Sequence, residues 1–132
     1  MDKIIIGRRE TADLPTFGLE NKIVKIDSGA YTSSIDVENI RKDNNLLYVV
    51  FEKNGAEICF EDFMIKRIKS SNGILQERYV IKGDIILGQK KYKTRFSLTD
   101  RSGMRYPILL GRKLLNKKFL IDTSKANLLK KI

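Results

Sequence analysis

Short runs of β-branched and aromatic residues, each closed by turn formers, recur along almost the whole 132-residue chain. They fall at residues 3–6, 22–27, 33–37, 46–52, 57–60, 63–68, 74–81, 84–87, 92–98 and 106–110. Runs this short, separated by turn signals rather than by helical stretches, build a barrel or sandwich. Lys53-Asn54-Gly55 reads as a hairpin turn, because Asn-Gly accepts the positive φ of a type I′ turn. Ser70-Ser71-Asn72-Gly73 reads the same way, and residues 80–84, around Gly83, give a third tight turn. Only Pro15 and Pro107 interrupt the capacity to pair in sheets. Helix is confined to residues 112–117, after Gly111. Residues 119–122 return to strand, and 128–132 read as a last strand or a frayed end. The expectation is an all-β, mainly antiparallel barrel forming a single domain over residues 1–132, a length typical of one domain.

The side-chain inventory removes several kinds of chemistry. There is no histidine, so Ser-His-Asp and Cys-His nucleophiles, His-ligated zinc and His general bases are excluded. The single cysteine, Cys59, permits no internal disulfide. Its apolar neighbours Ile58 and Phe60 suggest a buried, inert thiol. The formal net charge is +10, which favours acidic partners. Residues 101–132 hold nine of the basic residues and one acid, Asp122. That stretch is either a solvated basic surface or a means of selecting an acidic substrate or nucleic acid. Met1-Asp2-Lys3-Ile4-Ile5-Ile6-Gly7 offers three consecutive apolar residues, far fewer than a secretory core or a membrane span needs. A cytoplasmic protein with no membrane association is the expectation.

Two stretches carry chemistry. In Ile23-Val24-Lys25-Ile26-Asp27-Ser28-Gly29-Ala30, a β-branched strand ends on a carboxylate followed by a small hydroxyl, a glycine and an alanine. An aspartic peptidase needs this order. The carboxylate must leave a strand end on a rigid turn, Gly lets backbone N–H groups approach it, and Ala keeps the groove open. Further on, Tyr106-Pro107-Ile108-Leu109-Leu110-Gly111-Arg112-Lys113-Leu114-Leu115 supplies an apolar strand, a glycine and a short Leu-Leu helix. Separately each is an ordinary turn or buried strand. Together, in this order, they match the two halves of the retropepsin signature.

The chain resembles the retropepsin-like aspartic peptidases that carry the label ATP-dependent zinc protease and occur beside ribosomal-protein glutamate ligases of the ATP-grasp type. The likeness runs through Gly7-Arg8-Arg9-Glu10 with Leu14-Pro15, Lys25-Ile26-Asp27-Ser28-Gly29-Ala30 with Thr32-Ser33, and Arg78-Tyr79-Val80-Ile81. It continues through Leu98-Thr99-Asp100-Arg101 with Met104, the strand from Tyr106 to Arg112, and Ile121-Asp122. It departs at Tyr31, where a basic residue is expected, and at Asp36, where His is common. The resemblance implies a retropepsin-like acid-protease barrel with one short helix after Ile108-Leu109-Leu110-Gly111. The family label also implies zinc and ATP. The residues argue for neither cofactor: there is no His, one Cys, and no Gly-x-x-x-x-Gly-Lys-Ser/Thr phosphate loop.

A hydrolytic dyad needs two carboxylates on one water, and the chain supplies one such motif. The expected enzyme is therefore a homodimer with one Asp27 from each copy. Ser28, Gly29 and Ala30 support the loop. Lys25 shares a strand face with Asp27, close enough to couple to it or to grip a substrate carboxylate. Thr32, Ser33, Arg78, Arg101 and Arg112 are the other candidate substrate contacts. The arginines can equally serve structural ion pairs, such as Arg112 with Asp122. The expected substrate is a glutamate-rich or poly-glutamate tail of a ribosomal protein, with a glutamate ligase as a possible partner. Two alternatives stay open: a non-catalytic module of the same fold that binds acidic polypeptides, and a basic RNA-binding β-barrel. Against the latter, the five Tyr and six Phe are scattered and form no visible stacking platform.

Overall fold

The structure, a computed structural model, describes residues 2–69, 72–100 and 105–129. Its strands are β1 (Ile4–Ile6), β2 (Arg9–Leu14), β3 (Leu19–Ile26), β4 (Ser33–Asp36), β5 (Asn39–Asp43) and β6 (Leu46–Val50). They continue with β7 (Glu57–Phe60), β8 (Met64–Lys69), β9 (Leu75–Leu87), β10 (Lys90–Thr99), β11 (Ile108–Leu110) and β12 (Phe119–Ile121). A 3-10 turn, Pro15–Phe17, follows β2, and a single helical turn, α1 (Arg112–Leu115), follows β11.

Strands β10, β4, β11, β3, β2 and β9 are neighbours in that order, and β9 pairs back onto β10. The six strands therefore close into a barrel, the all-β retropepsin-like architecture. β8 extends from β9 as a hairpin arm. Closure removes the sheet edges that would otherwise be open to aggregation. Residues two apart share a face, so alternate side chains point inward. Leu14, Val24, Ile35, Ile85, Phe96 and Leu110 are among those essentially sealed from solvent. Burying each such side chain contributes about 1.5–3 kcal/mol.

A three-stranded meander, β5–β6–β7, packs against this core through Leu47, Val49 and Phe51. Phe17 joins the two parts. Its ring lies 4.8 Å from that of Phe51, 6.0 Å from Phe60 and 5.5 Å from Phe96. In β7 the side chains alternate, with Ile58 and Phe60 half-buried and Cys59 between them exposed. The thiol expected in the core is thus on the surface, because apolar neighbours in a strand occupy the opposite face from the residue between them.

The tight turn expected around Gly83 is absent. Gly83 lies within the continuous 13-residue strand β9, paired with Thr94. A Cβ there would sit 2.2 Å from Cζ of Phe17, so the glycine makes room for a ring rather than for a turn. The reversal comes at Gly88, with φ 63°, between Leu87 and Lys90. The Asn54-Gly55 turn falls where expected but is not type I′. Only Asn54 has positive φ, and Gly55 N–H bonds to the Glu52 carbonyl across a longer loop.

β2 and β5 were not expected as strands. β2 hides a carboxylate. Glu10 is fully buried and accepts N–H bonds from Gly7 (2.7 Å), Leu128 (3.1 Å) and Leu129 (2.8 Å). The segment 125–129 is held further by Arg8 N–H to the Lys125 carbonyl and Asn127 N–H to the Arg9 carbonyl. Gly7 is required here, since a Cβ would lie 2.3 Å from the Lys125 oxygen. The Gly-x-x-Glu motif is therefore the clamp that ties the C-terminal segment to β2. Among the described residues, no helix is long and apolar enough to cross a membrane.

Candidate active site

β11 threads between β3 and β4. It runs parallel to β3, with Leu110 opposite Ile26, and antiparallel to β4, with Ile108 opposite Ile35. This register brings the two sequence motifs together. Asp27 follows directly after β3, and its N–H continues the ladder to the Leu110 carbonyl at 2.9 Å.

The loop after β3 is held mainly by its own backbone. Gly29 N–H donates to Oδ1 of Asp27 at 3.0 Å, and Ala30 N–H donates to the Asp27 carbonyl at 3.3 Å. The start of α1 bonds the far side of the loop: Arg112 N–H donates to the Ala30 carbonyl and Lys113 N–H to the Tyr31 carbonyl. Gly111 permits this approach, because a Cβ would lie 2.7 Å from the Tyr31 oxygen. Asp27 is half-buried, with Oδ1 held and Oδ2 without a partner among the described residues. A carboxylate fixed on one oxygen and open on the other can orient a water and exchange a proton with it.

The other candidates divide by position. Ser28 contributes its carbonyl, which accepts from Nη1 of Arg112 at 2.8 Å. The Arg112 guanidinium also lies 5.8 Å from the centre of the Tyr31 ring. Arg112 therefore braces the Asp27 loop. Asp122 pairs instead with Lys125, at 3.9 Å. Ser33 is buried, and its hydroxyl accepts the Gly111 N–H at 3.0 Å. It fastens the end of β11 to β4. Thr32 is half-buried beside it.

Lys25 is exposed and makes no ion pair with Asp27; its ammonium lies 5.7 Å from the centre of the Tyr106 ring. Arg78 is half-buried in a notch of about 400 Å³ with Ile40, Tyr79, Thr99 and Asp100, which none of residues 25–33 lines. Arg101 lies outside the described residues. A larger cleft, about 650 Å³, is lined by Ile23, Asp36, Phe51, Tyr106 and Ile108 among others; Asp27 does not line it.

Sequence reasoning missed Arg105 and Tyr106 as neighbours of this region. The signal was present: Tyr106 lies two residues before β11, whose partner β3 carries Lys25. Zinc does not fit the residues. No His exists, and among the described residues no group of three or more Cys, Asp or Glu side chains could hold a metal ion.

Comparison with known proteins agrees with the geometry. A profile of the RimB-like family, described as retropepsin-like aspartic endopeptidase RimB, matches residues 5–131. A Shewanella halifaxensis protein named probable alpha-L-glutamate ligase is 39% identical over 135 residues, covering 95% of this chain and 30% of that one. A Parasynechococcus marenigrum protein of the same name is 33% identical, covering 91% and 28%. The chain thus spans under a third of the curated relatives it matches. The crystal structure of a Legionella pneumophila protein of unknown function superposes with a TM-score of 0.77 at 27% identity, covering 98% of this chain and 100% of that one.

Proposed function

Since this chain belongs to the RimB-like family of retropepsin-like aspartic endopeptidases, we propose that it is a homodimeric aspartic peptidase acting on glutamate-rich or poly-glutamate tails of a protein such as a ribosomal protein. The observation that carries this reading is Asp27 itself. It is a strand-end carboxylate with one oxygen fixed by Gly29 N–H and the other open, on a loop braced by Leu110, Gly111 and Arg112.

One such carboxylate cannot take the water proton and protonate the carbonyl oxygen in the same step. Two copies related by a two-fold axis supply the pair. The Asp27 carboxylate of one copy takes a proton from water as the oxygen bonds to the scissile carbonyl carbon. Protonated Asp27 of the other copy gives its proton to the carbonyl oxygen. Collapse of the tetrahedral gem-diol breaks the C–N bond: the departing nitrogen takes the proton now held by the first Asp27, and one gem-diol hydroxyl returns its proton to the second, which restores the dyad. No metal or nucleotide enters any step.

Two observations support an acidic substrate. The chain carries a net charge of +10, which attracts polyanions. Its relatives include proteins named probable alpha-L-glutamate ligase, of which this chain resembles about 30%. A ligase that adds glutamate makes an acidic tail, and a peptidase of this charge is suited to trim it. Such a ligase is the proposed partner, and the proposed setting is the cytoplasm. The test is to incubate the protein with a peptide ending in several glutamates, following products by mass and the enzyme's own mass by light scattering. The expected result is shortened peptide from a species near twice 15.2 kDa, unaffected by a chelator. Intact peptide, or cleavage by a strict monomer, contradicts the proposal.

A further inference from the structure

Lys25 and Arg105 converge on one aromatic ring. The Lys25 ammonium lies 5.7 Å and the Arg105 guanidinium 5.5 Å from the centre of Tyr106. Both cations are exposed, and neither has a carboxylate partner among the described residues. Other cations of the molecule differ: Lys22 is committed to Glu52 at 2.6 Å and Arg41 to Glu57 at 2.7 Å.

Tyr106 is held in place. It is half-buried, and the next residue, Pro107, accepts the Asp36 N–H at 2.7 Å. Leu109 of β11 stands opposite Lys25 of β3, and Tyr106 lies two residues before β11, toward the end of the pairing remote from Asp27. In an extended strand, residues two apart are about 7 Å apart. Lys25 is therefore one side-chain position from Asp27, on the same face.

We infer that Lys25, Tyr106 and Arg105 form a carboxylate-recognition subsite that binds a glutamate side chain of the bound peptide. The inference rests on the peptidase reading of Asp27. It adds two residues, Arg105 and Tyr106, and a reason for preferring acidic peptides that net charge alone does not give.

The physical argument turns on magnitudes. An isolated exposed ion pair is worth little, because a free lysine must give up rotamer entropy to make it. A cation resting on an aromatic ring is already partly ordered, and the ring's negative face helps to hold it. Two such cations on one ring concentrate positive charge there, and charge-assisted hydrogen bonds to a carboxylate are about twice as strong as neutral ones. Glutamine in the same place keeps the shape and loses the charge, so the subsite should distinguish the two.

The experiment uses Asp27→Asn protein, which cannot turn over, and two labelled octapeptides that alternate alanine with glutamate or with glutamine. Binding is measured at moderate salt. The glutamate peptide should bind about tenfold or more tighter. Adding Lys25→Met and Arg105→Gln should bring the ratio to within about threefold of unity. Lys90→Met with Lys91→Met, which removes the same charge from the β9–β10 hairpin, should leave it near tenfold. Tyr106→Leu, which keeps both cations but removes their seat, should fall between. A preference retained without Lys25 and Arg105, lost equally in the hairpin control, or absent from the start overturns the inference. Cleavage by the wild-type chain is read separately. Glutamate preference without cleavage sinks the peptidase reading and leaves the subsite standing; cleavage with no preference does the reverse.

Discussion

Two carboxylates in this molecule are both received by backbone N–H groups, and they serve opposite ends. Glu10, in β2, is sealed from solvent and accepts three N–H bonds, so both of its oxygens are occupied. Asp27, just past β3, is half-buried and accepts one, with Oδ2 open among the described residues. The surroundings differ in the same sense. The Glu10 region closes the chain on itself, drawing 125–129 against β2. The Asp27 loop is fixed by Leu110 and by the start of α1, and Oδ2 of Asp27 has no partner among the described residues. A fully satisfied buried carboxylate is a fastener. A rigidly mounted, half-satisfied one is equipped for chemistry.

The largest expected effect separates the two on activity. Asp27→Asn keeps an oxygen for Gly29 N–H but removes the proton-transfer group, and in the proposed dimer it does so twice. Hydrolysis of a glutamate-tailed peptide should fall by about four orders of magnitude or more, since each acid–base group contributes roughly 10²–10⁴-fold. The unfolding free energy from urea titration should stay within about 0.5 kcal/mol of wild type. Full activity in this variant would falsify the assignment of Asp27.

Glu10→Ala should show the converse. It leaves three N–H donors without their acceptor in a dry site, where each unsatisfied group costs about 1–3 kcal/mol. Water admitted to the space relieves part of this, so about 3 kcal/mol is expected in denaturant unfolding. Amide exchange should rise first in residues 125–129. Activity per folded molecule should remain. Unchanged stability would mean that the clamp does not hold the tail.

The smallest effect concerns a third carboxylate of this kind, the surface residue Asp122. Its Oδ1 accepts the Ser124 hydroxyl at 2.6 Å and the Ser124 N–H at 3.0 Å, and these bonds lower its pKa below the ordinary aspartate value. A carboxyl whose folded pKa is depressed stabilises the fold above its unfolded pKa, and that contribution fades as pH falls through the folded value. Ser124→Ala should therefore reduce stability slightly at neutral pH and not at all at the acid end. An equal effect at both ends would show that the Asp122 charge is not involved.

The same contrast explains what the sequence made legible. The Asp27 loop and the Ile108–Leu110 strand could be read because each carries a local pattern of strand, small residues and glycine. Their meeting follows from a parallel register that neither contains alone. β2 could not be read, because Arg9-Glu10-Thr11-Ala12-Asp13-Leu14 places a carboxylate on the inward face where a hydrophobic residue is expected. β5, Asn39–Asp43, is a largely exposed edge strand with almost no apolar pattern. Gly83 was misread as a turn because the residue that demands its lack of a side chain, Phe17, is remote in sequence. Ser33 was read as a substrate contact from its place in the motif. Its burial and its bond to Gly111 become visible only once β11 is threaded between β3 and β4.

The central claim is that each catalytic centre is completed by Asp27 from two copies, and subunit mixing tests it most directly. Wild-type and Asp27→Asn chains are co-refolded at equal amounts and constant total concentration, and cleavage of a glutamate-tailed peptide is measured. If both carboxylates are needed, only pairings of two wild-type chains are active, and the rate should fall to about one quarter of that of pure wild type. A rate of about one half would show that each chain carries a complete site and would contradict the account, as would the absence of cleavage by pure wild-type protein.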